Sequence, residues 1–150
     1  MKIDTTRFGE IEVLKDKLIE FPNGILGFPE LKRYAFLENN SDLPFGWLQA
    51  VDDKDMAFVV MDPLPFKPDY RLSIKEKEIA DIDIRDESEL CVLVILTIPS
   101  RDSQGITANL QGPLVINLTN RKGKQVVLPD SGYTCKYPIF QESGLSSLTY

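Results

Sequence analysis

The sequence has 150 residues, 43% of them hydrophobic and 27% charged, which fits one globular domain able to bury its own core without a disulfide or metal staple. Lys and Arg number 17 against 23 Asp and Glu, a net charge of −6; such a surface repels phosphate backbones and argues against nucleic acid as a direct ligand, while suiting a basic protein partner or simple solubility. No histidine occurs, which removes the commonest general base and the commonest zinc ligand together.

The longest apolar run, Cys91–Ile98, is far short of the ~20 residues that cross a bilayer. The opening MKIDTTRFGE has no apolar secretory stretch, so a cytoplasmic location is expected. Lys2–Val13 predicts two short strands about Phe8-Gly9, and Leu18–Phe21 another, broken by Pro22-Asn23-Gly24. Phe21–Phe28 is dense in turn formers: Asn23-Gly24 supplies the positive φ of a tight turn, and Gly27 a further bend. Pro29 suits the first position of a single helical turn through Leu31 and Arg33. Tyr34–Leu37 resumes extended structure, and Asn39–Asp42 is expected as a surface loop. Trp47–Val51 and Ala57–Met61 then flank the polar tetrapeptide Asp52-Asp53-Lys54-Asp55, the pattern of a β-hairpin. Ala57–Met61 is apolar throughout and reads as a central strand covered on both faces. Pro63 stops it, because proline cannot donate to a ladder.

Pro65 and Pro68 stiffen the connection that ends at Asp69-Tyr70. Ser73–Leu90 is the one stretch with helical character, a short helix or turn region with Ser73 and Glu76 spaced as a capping box. Residues 75–89 carry seven acids and three basic residues. Cys91–Ile98 reads as a second buried strand, stopped by Pro99. Beyond the polar loop Ser100–Gly105, Ile106–Leu110 and Leu114–Leu118 about Gly112-Pro113 predict another hairpin, and Asn120–Gly123 a turn into Gln125–Leu128. The pattern becomes irregular from Pro129, and the end of the chain reads as loosely held. Many short strands with turn chemistry between them and almost no helix predict an all-β barrel or sandwich.

Catalytic and metal chemistry find little support. Asp52, Asp53 and Asp55 crowd one turn, but the turn is too short to wrap a calcium ion and reads as a solvated hairpin tip. No Ser-x-x-Lys or Gly-x-Ser-x-Gly is present, and Gly24-Ile-Leu-Gly27 lacks the surroundings of a phosphate loop. Cys91 and Cys135 belong to no CxxC pattern and read as structural thiols. No catalytic residue, metal site or cofactor is therefore expected. Phe28, Phe45, Phe66 and Tyr70 all stand beside prolines or glycines. They either cap the open ends of a barrel or form an anchor surface for a protein partner.

Phe21-x-x-Gly24-x-x-Gly27-Phe28, Leu48-Gln49, Asp53, Phe58-Val-Val60 and Asp62-Pro63 together resemble the flagellar assembly factor FliW family. Asp69-Tyr70, Asn109-Leu-x-x-Pro113-x-Val-Ile-Asn117 and Gly123-x-Gln125-x-Val-Leu128 continue the resemblance in order, from about Phe8 to Pro138. Gly112, where the pattern has alanine, departs from it, and the stretch after Ile139 does not align. The resemblance implies a small antiparallel β-barrel-like fold with minimal helix, expected as a single domain over residues 1–150, while residues 139–150, read from the sequence alone, are expected as a loosely ordered tail. It also implies a non-enzymatic regulator that binds the translational repressor CsrA, antagonises it and so releases flagellin mRNA, and that binds flagellin itself.

A basic RNA-reading partner would be steered by acids on this chain, from beside its RNA site as readily as over it. Local charge density singles out Asp69, Glu76, Glu78, Asp81 and Asp83, with Tyr70 as anchor. Two alternatives remain: a small barrel holding a soluble ligand such as an oligosaccharide in its mouth, and direct RNA binding by an OB-like barrel, which conflicts with the acidic charge.

Overall fold

Aromatic and β-branched runs set the strands. In the computed structural model these are β1 (Lys2–Thr5), β2 (Gly9–Glu12), β3 (Ile19–Glu20), β4 (Arg33–Glu38), β5 (Phe45–Ala50), β6 (Ala57–Met61), β7 (Leu90–Thr97), β8 (Thr107–Ala108), β9 (Leu114–Asn117), β10 (Lys122–Gln125) and β11 (Tyr137–Pro138). The structure describes residues 1–38, 44–72, 79–84, 89–99, 105–129 and 131–139. The expected loop at Asn39–Asp42, the Ser73–Glu76 capping box, nearly all of the loop Ser100–Gly105 and the tail from residue 140 lie outside them.

The strands close in the order β7-β6-β5-β4-β3-β10-β9, with β9 returning to β7 to complete a barrel. All neighbours in this ring are antiparallel except β3 and β10, which meet in parallel at Lys122↔Glu20. The predicted central hairpin forms as β5 and β6, Trp47 opposite Val59 and Leu48 opposite Phe58. The β1–β2 hairpin stands apart and leans on its tip: Thr6 N–H donates to the Lys54 carbonyl at 2.9 Å, Phe8 meets Trp47 edge-on, and the Arg7 guanidinium lies 4.3 Å from the Trp47 ring centre.

Because successive strand residues face opposite sides, alternate positions fill the barrel and the others its outer layers. Ile19, Phe21, Tyr34, Leu48, Ala50, Val60, Leu114 and Ile116 make the interior core. Met61, Tyr70, Val94, Leu96, Ala108, Leu110 and Ile139 form a second core, beneath the β8–β11 pair. Val115, Val126 and Leu128 cover a third, capped by Ile82.

Four sequence expectations are corrected. Pro29 opens no helical turn: Leu31 N–H bonds the Phe28 carbonyl at 3.3 Å in a tight turn, and extended structure starts at Arg33. Ile106–Leu110 and Leu114–Leu118 are not a hairpin. Both run antiparallel to β7 along one edge, β8 against Leu96 and Thr97, β9 against Leu90–Leu93. The Asn109 side chain makes the step between them, its Oδ1 accepting from Gln111 N–H at 3.1 Å and Gly112 N–H at 2.9 Å. Gly123 lies in β10 and not in the turn, which uses Arg121 at φ 62°. A Cβ at Gly123 would stand 2.7 Å from the Phe21 ring, so glycine here lets strand and ring pack closely. Finally, the first half of β7 is only half-buried. Of Ser73–Leu90, the described part is the 3-10 turn Ala80–Ile82 and its flanks, then the start of β7.

Candidate protein-binding surface

The predicted acids rest on separate supports. Asp69 stands on the loop after β6, its carboxylate 2.9 Å from Lys67 Nζ; that hydrogen bond holds the Asp69 carboxyl below its ordinary range and raises the lysine. Asp81 belongs to the 3-10 turn packed on β10, where Lys124 reaches it at 3.4 Å and Asn23 donates to it at 3.2 Å. Asp83 follows in the left-handed region at φ 55°, and its carbonyl accepts from Asn117 Nδ2. Glu76 and Glu78 lie outside the described residues. Asp69 and Asp81 each carry a partner cation, so the net field is weaker than the bare sequence count.

Tyr70, expected as an exposed anchor, is only 5% exposed. Its O–H donates to the Leu110 carbonyl at 2.6 Å and its ring lies 4.6 Å from that of Tyr133. Desolvation raises its pKa. The other loop aromatics also turn inward: Phe28 packs edge-on against Phe58, Phe66 stacks on Tyr137, and Phe45 joins the second core. Phe28 packs on the interior core and Phe45, Phe66 and Tyr70 on the second, so core packing is the role these four fill.

The aspartates of the β5–β6 turn are bonded as well as solvated. Asp52 takes a two-pronged contact from Arg33, Asp53 Oδ1 accepts from Asp55 N–H, and the Asp55 carboxylate accepts the Thr6 hydroxyl. Beneath them the buried Gln49 amide points Nε2 at the carbonyls of Ala50, Asp53, Lys54 and Met56, 3.1–3.3 Å away. Similar side-chain staples recur at Asn117 and Gln125. Asn117 ties Ile82 O at 2.9 Å and caps the β9–β10 turn through Thr119 N–H at 2.8 Å. Gln125 bridges Leu26 N–H and Gly112 O, each at 2.9 Å. At Gly112 a Cβ would come within 3.0 Å of the Gln125 amide and 3.1 Å of the Asn109 amide.

A groove of about 430 Å3 opens where β6 ends beside β7. Its lining comes from Asp62–Leu64 after β6, Leu90–Leu93 of β7 and Leu118 after β9, with Tyr70 and Leu72. Leu64 is 49% and Leu118 48% exposed. Both cysteines are free thiols, and burial, with Asp62 nearby, pushes the Cys91 thiol up. The sequence reads Cys91–Ile98 as a buried strand and Asp62-Pro63 as a strand stop, and gives none of the lining residues except Tyr70 a binding role. The available signal was Asp62-Pro63 itself: a proline that stops one strand also deprives the neighbouring strand of a partner. The groove is lined by aliphatic side chains, and its tyrosine, Tyr70, has its hydroxyl engaged, a poor match for an oligosaccharide.

With the geometry in place, comparison with known proteins assigns the family. The family model described as FliW protein matches residues 2–139. A flagellar assembly factor FliW of Natranaerobius thermophilus is 43% identical over 96% of this chain and 95% of its own length. That of Alkaliphilus metalliredigens is 43% identical over 95% of this chain and 88% of its own. A solved structure, described as the crystal structure of the flagellar assembly factor FliW, superposes with a TM-score of 0.87 at 34% identity, covering 95% of this chain and 99% of that one. The chain belongs to the FliW family.

Proposed function

We propose that this chain is a flagellar assembly factor that works in the cytoplasm by binding proteins and not by catalysis. In this reading it docks on the translational repressor CsrA and antagonises it, relieving repression of flagellin mRNA. It also binds flagellin, so that accumulating flagellin withdraws the antagonist and restores repression. The observation that carries the reading is similarity over nearly the full chain to proteins named flagellar assembly factors.

The net charge of −6 supports a basic partner, because an acidic surface raises encounter rates with a basic one and lowers the local potential that phosphates need. Asp69, Asp81 and Asp83, with Glu76 and Glu78 beside them in sequence, are the proposed steering acids. Tyr70 acts by holding the loop that carries Asp69 to the second core.

Affinity capture with purified CsrA and with flagellin, separately and then together, tests the reading. Capture of each alone, with flagellin displacing CsrA, is the expected result. If the protein retains neither, or turns over a substrate alone, the assignment fails.

A further inference from the structure

β6 and β7 are paired at Val59↔Leu96, Val60↔Ile95 and Met61↔Val94. Continued one step at a time, that register would set Asp62 opposite Leu93, Pro63 opposite Val92 and Leu64 opposite Cys91. The chain leaves the ladder instead. Asp62 Oδ1 accepts from Leu64 N–H at 3.0 Å, Pro63 has no N–H to give, and the Pro63 carbonyl is taken by Lys67 N–H at 2.9 Å and Phe66 N–H at 3.2 Å. β7 nevertheless runs on to Leu90, held along its other edge by β9. Among the described residues, Leu90–Leu93 therefore has one paired edge and one open edge.

The direction of the backbone groups follows from the ladder. Leu118 N–H donates to Glu89 O at 2.8 Å and Asn109 N–H to Ile95 O at 2.9 Å, both on the β8–β9 side. Backbone polar groups alternate sides along a strand. Cys91 and Leu93 thus address β9, whereas Leu90 and Val92 direct N–H and C=O to the opposite edge, the side that Asp62–Leu64 has left. Exposed edges of this kind are usually blunted by charge, bulge or cover; here Asp62 is the one charged residue on the lining among the described residues.

We propose that the open edge of β7 at Leu90–Leu93 is a β-augmentation slot, taking an extended apolar segment with a basic residue from a partner protein. Leu90 and Val92 would supply main-chain hydrogen bonds, and the apolar walls would receive alternate side chains of the incoming strand. Four residues of edge span about 13 Å, enough for a short segment continuing the line of β6. A cation on that segment meets the Asp62 carboxylate, whose bonded partner among the described residues is the Leu64 N–H. A second copy of this chain fits worse: two-fold pairing of the edges would bring like-charged rims together on molecules of net charge −6 each. The slot is defined by backbone geometry and holds whichever protein supplies the segment.

The test is selection of random octapeptides displayed on phage against the full chain, followed by binding measurements on synthetic copies of the enriched sequences. Enriched peptides should alternate apolar and polar residues and carry Lys or Arg. Leu64→Glu should weaken their binding by roughly tenfold or more, as loss of a central apolar anchor does, and Asp62→Asn should weaken the basic ones selectively. Leu64 is half-exposed, so the variant keeps its fold, which an unchanged melting curve verifies. Peptides N-methylated at alternate amides give a second readout that leaves the protein untouched: one set should lose binding and the other retain it. The proposal is overturned by no enrichment, by undiminished binding to Leu64→Glu, by equal effects of the two methylation sets, or by a dimer of the chain alone that Leu64→Glu dissociates.

Discussion

Tyr34 and Tyr70 are buried tyrosines with opposite hydrogen-bond fates. Tyr70 O–H is satisfied by the Leu110 carbonyl at 2.6 Å, whereas the Tyr34 hydroxyl, on a side chain 0% exposed, has no partner among the described residues. An unpaired buried hydroxyl costs stability, and removing it is close to neutral or favourable, while removing a bonded one loses about 1 kcal/mol. Tyr34→Phe keeps the edge-on packing with Phe21 and the tilted contact with Phe58 and should leave the melting temperature unchanged or higher. Tyr70→Phe should lower it by a few degrees. A fall in Tyr34→Phe as large as that in Tyr70→Phe would show that the Tyr34 hydroxyl is bonded after all. The same burial sets an alkaline limit. Desolvation, with a lesser push from Glu30, raises the Tyr34 phenol to about 12, and desolvation also raises Tyr70. The unfolded chain ionises these phenols first, near their ordinary value of about 10, so their contribution is complete below that pH and is lost as pH climbs towards 12. Denaturant midpoints between pH 9 and 12 should fall less steeply for Tyr34→Phe than for the wild type.

At the level of elements, side-chain amides do work that regular ladders cannot. Asn117 joins β9 to the 3-10 turn Ala80–Ile82, its Nδ2 on Ile82 O and Asp83 O and its Oδ1 on Thr119 N–H. Asn117→Ala strands these buried groups and should cost about 2–3 kcal/mol. Amide exchange at residues 79–84 should quicken more than across β5 and β6; uniform acceleration would mean that the turn is not held by this one residue. The amides also explain what the sequence made legible. Strands β4 to β6 were readable because their runs alternate or stay apolar between turn formers, so local pattern and final structure agree. The β8–β9 step was not: a hairpin and an in-line step along β7 share the same Gly-Pro punctuation, and the choice falls to Asn109, whose bonds form only in the folded chain. The signature residues Gln49, Asn109, Asn117 and Gln125 hold turns and seams together, so much of the family pattern reports the scaffold, and only Asp62, Pro63, Asp69 and Tyr70 in it also stand at the groove or among the proposed steering acids. That is why Tyr70, chosen beside an acid, was a core residue, while Leu64 and Leu118, in no motif, line the groove.

Across the whole molecule, side chains such as Phe21, Tyr34, Leu48 and Leu114 fill the barrel, which leaves the outer surface and the β6–β7 seam as the places open to the proposed partners. Charge reaches furthest over that surface. At physiological salt the screening length is about 8 Å, so an approaching basic protein responds to local acids and not to the total of −6. Asp69 and Asp81 are already paired with Lys67 and Lys124, yet such exposed pairs contribute only about 0–1 kcal/mol to folding. Replacing Asp69, Asp81 and Asp83 together by lysine reverses the sign of the local field, and an unchanged melting curve verifies that the variant keeps its fold. Electrostatic steering typically multiplies association rates by about 10–10³ and is lost as salt rises. Stopped-flow association with CsrA, the proposed partner, should accordingly slow by roughly tenfold at low salt for the triple variant. The two proteins' rates should converge at high salt, with dissociation changed less than association. Identical rates across the salt series would move the contact away from these acids. Slowing confined to dissociation would instead mean that they touch the partner directly and do not steer it from a distance.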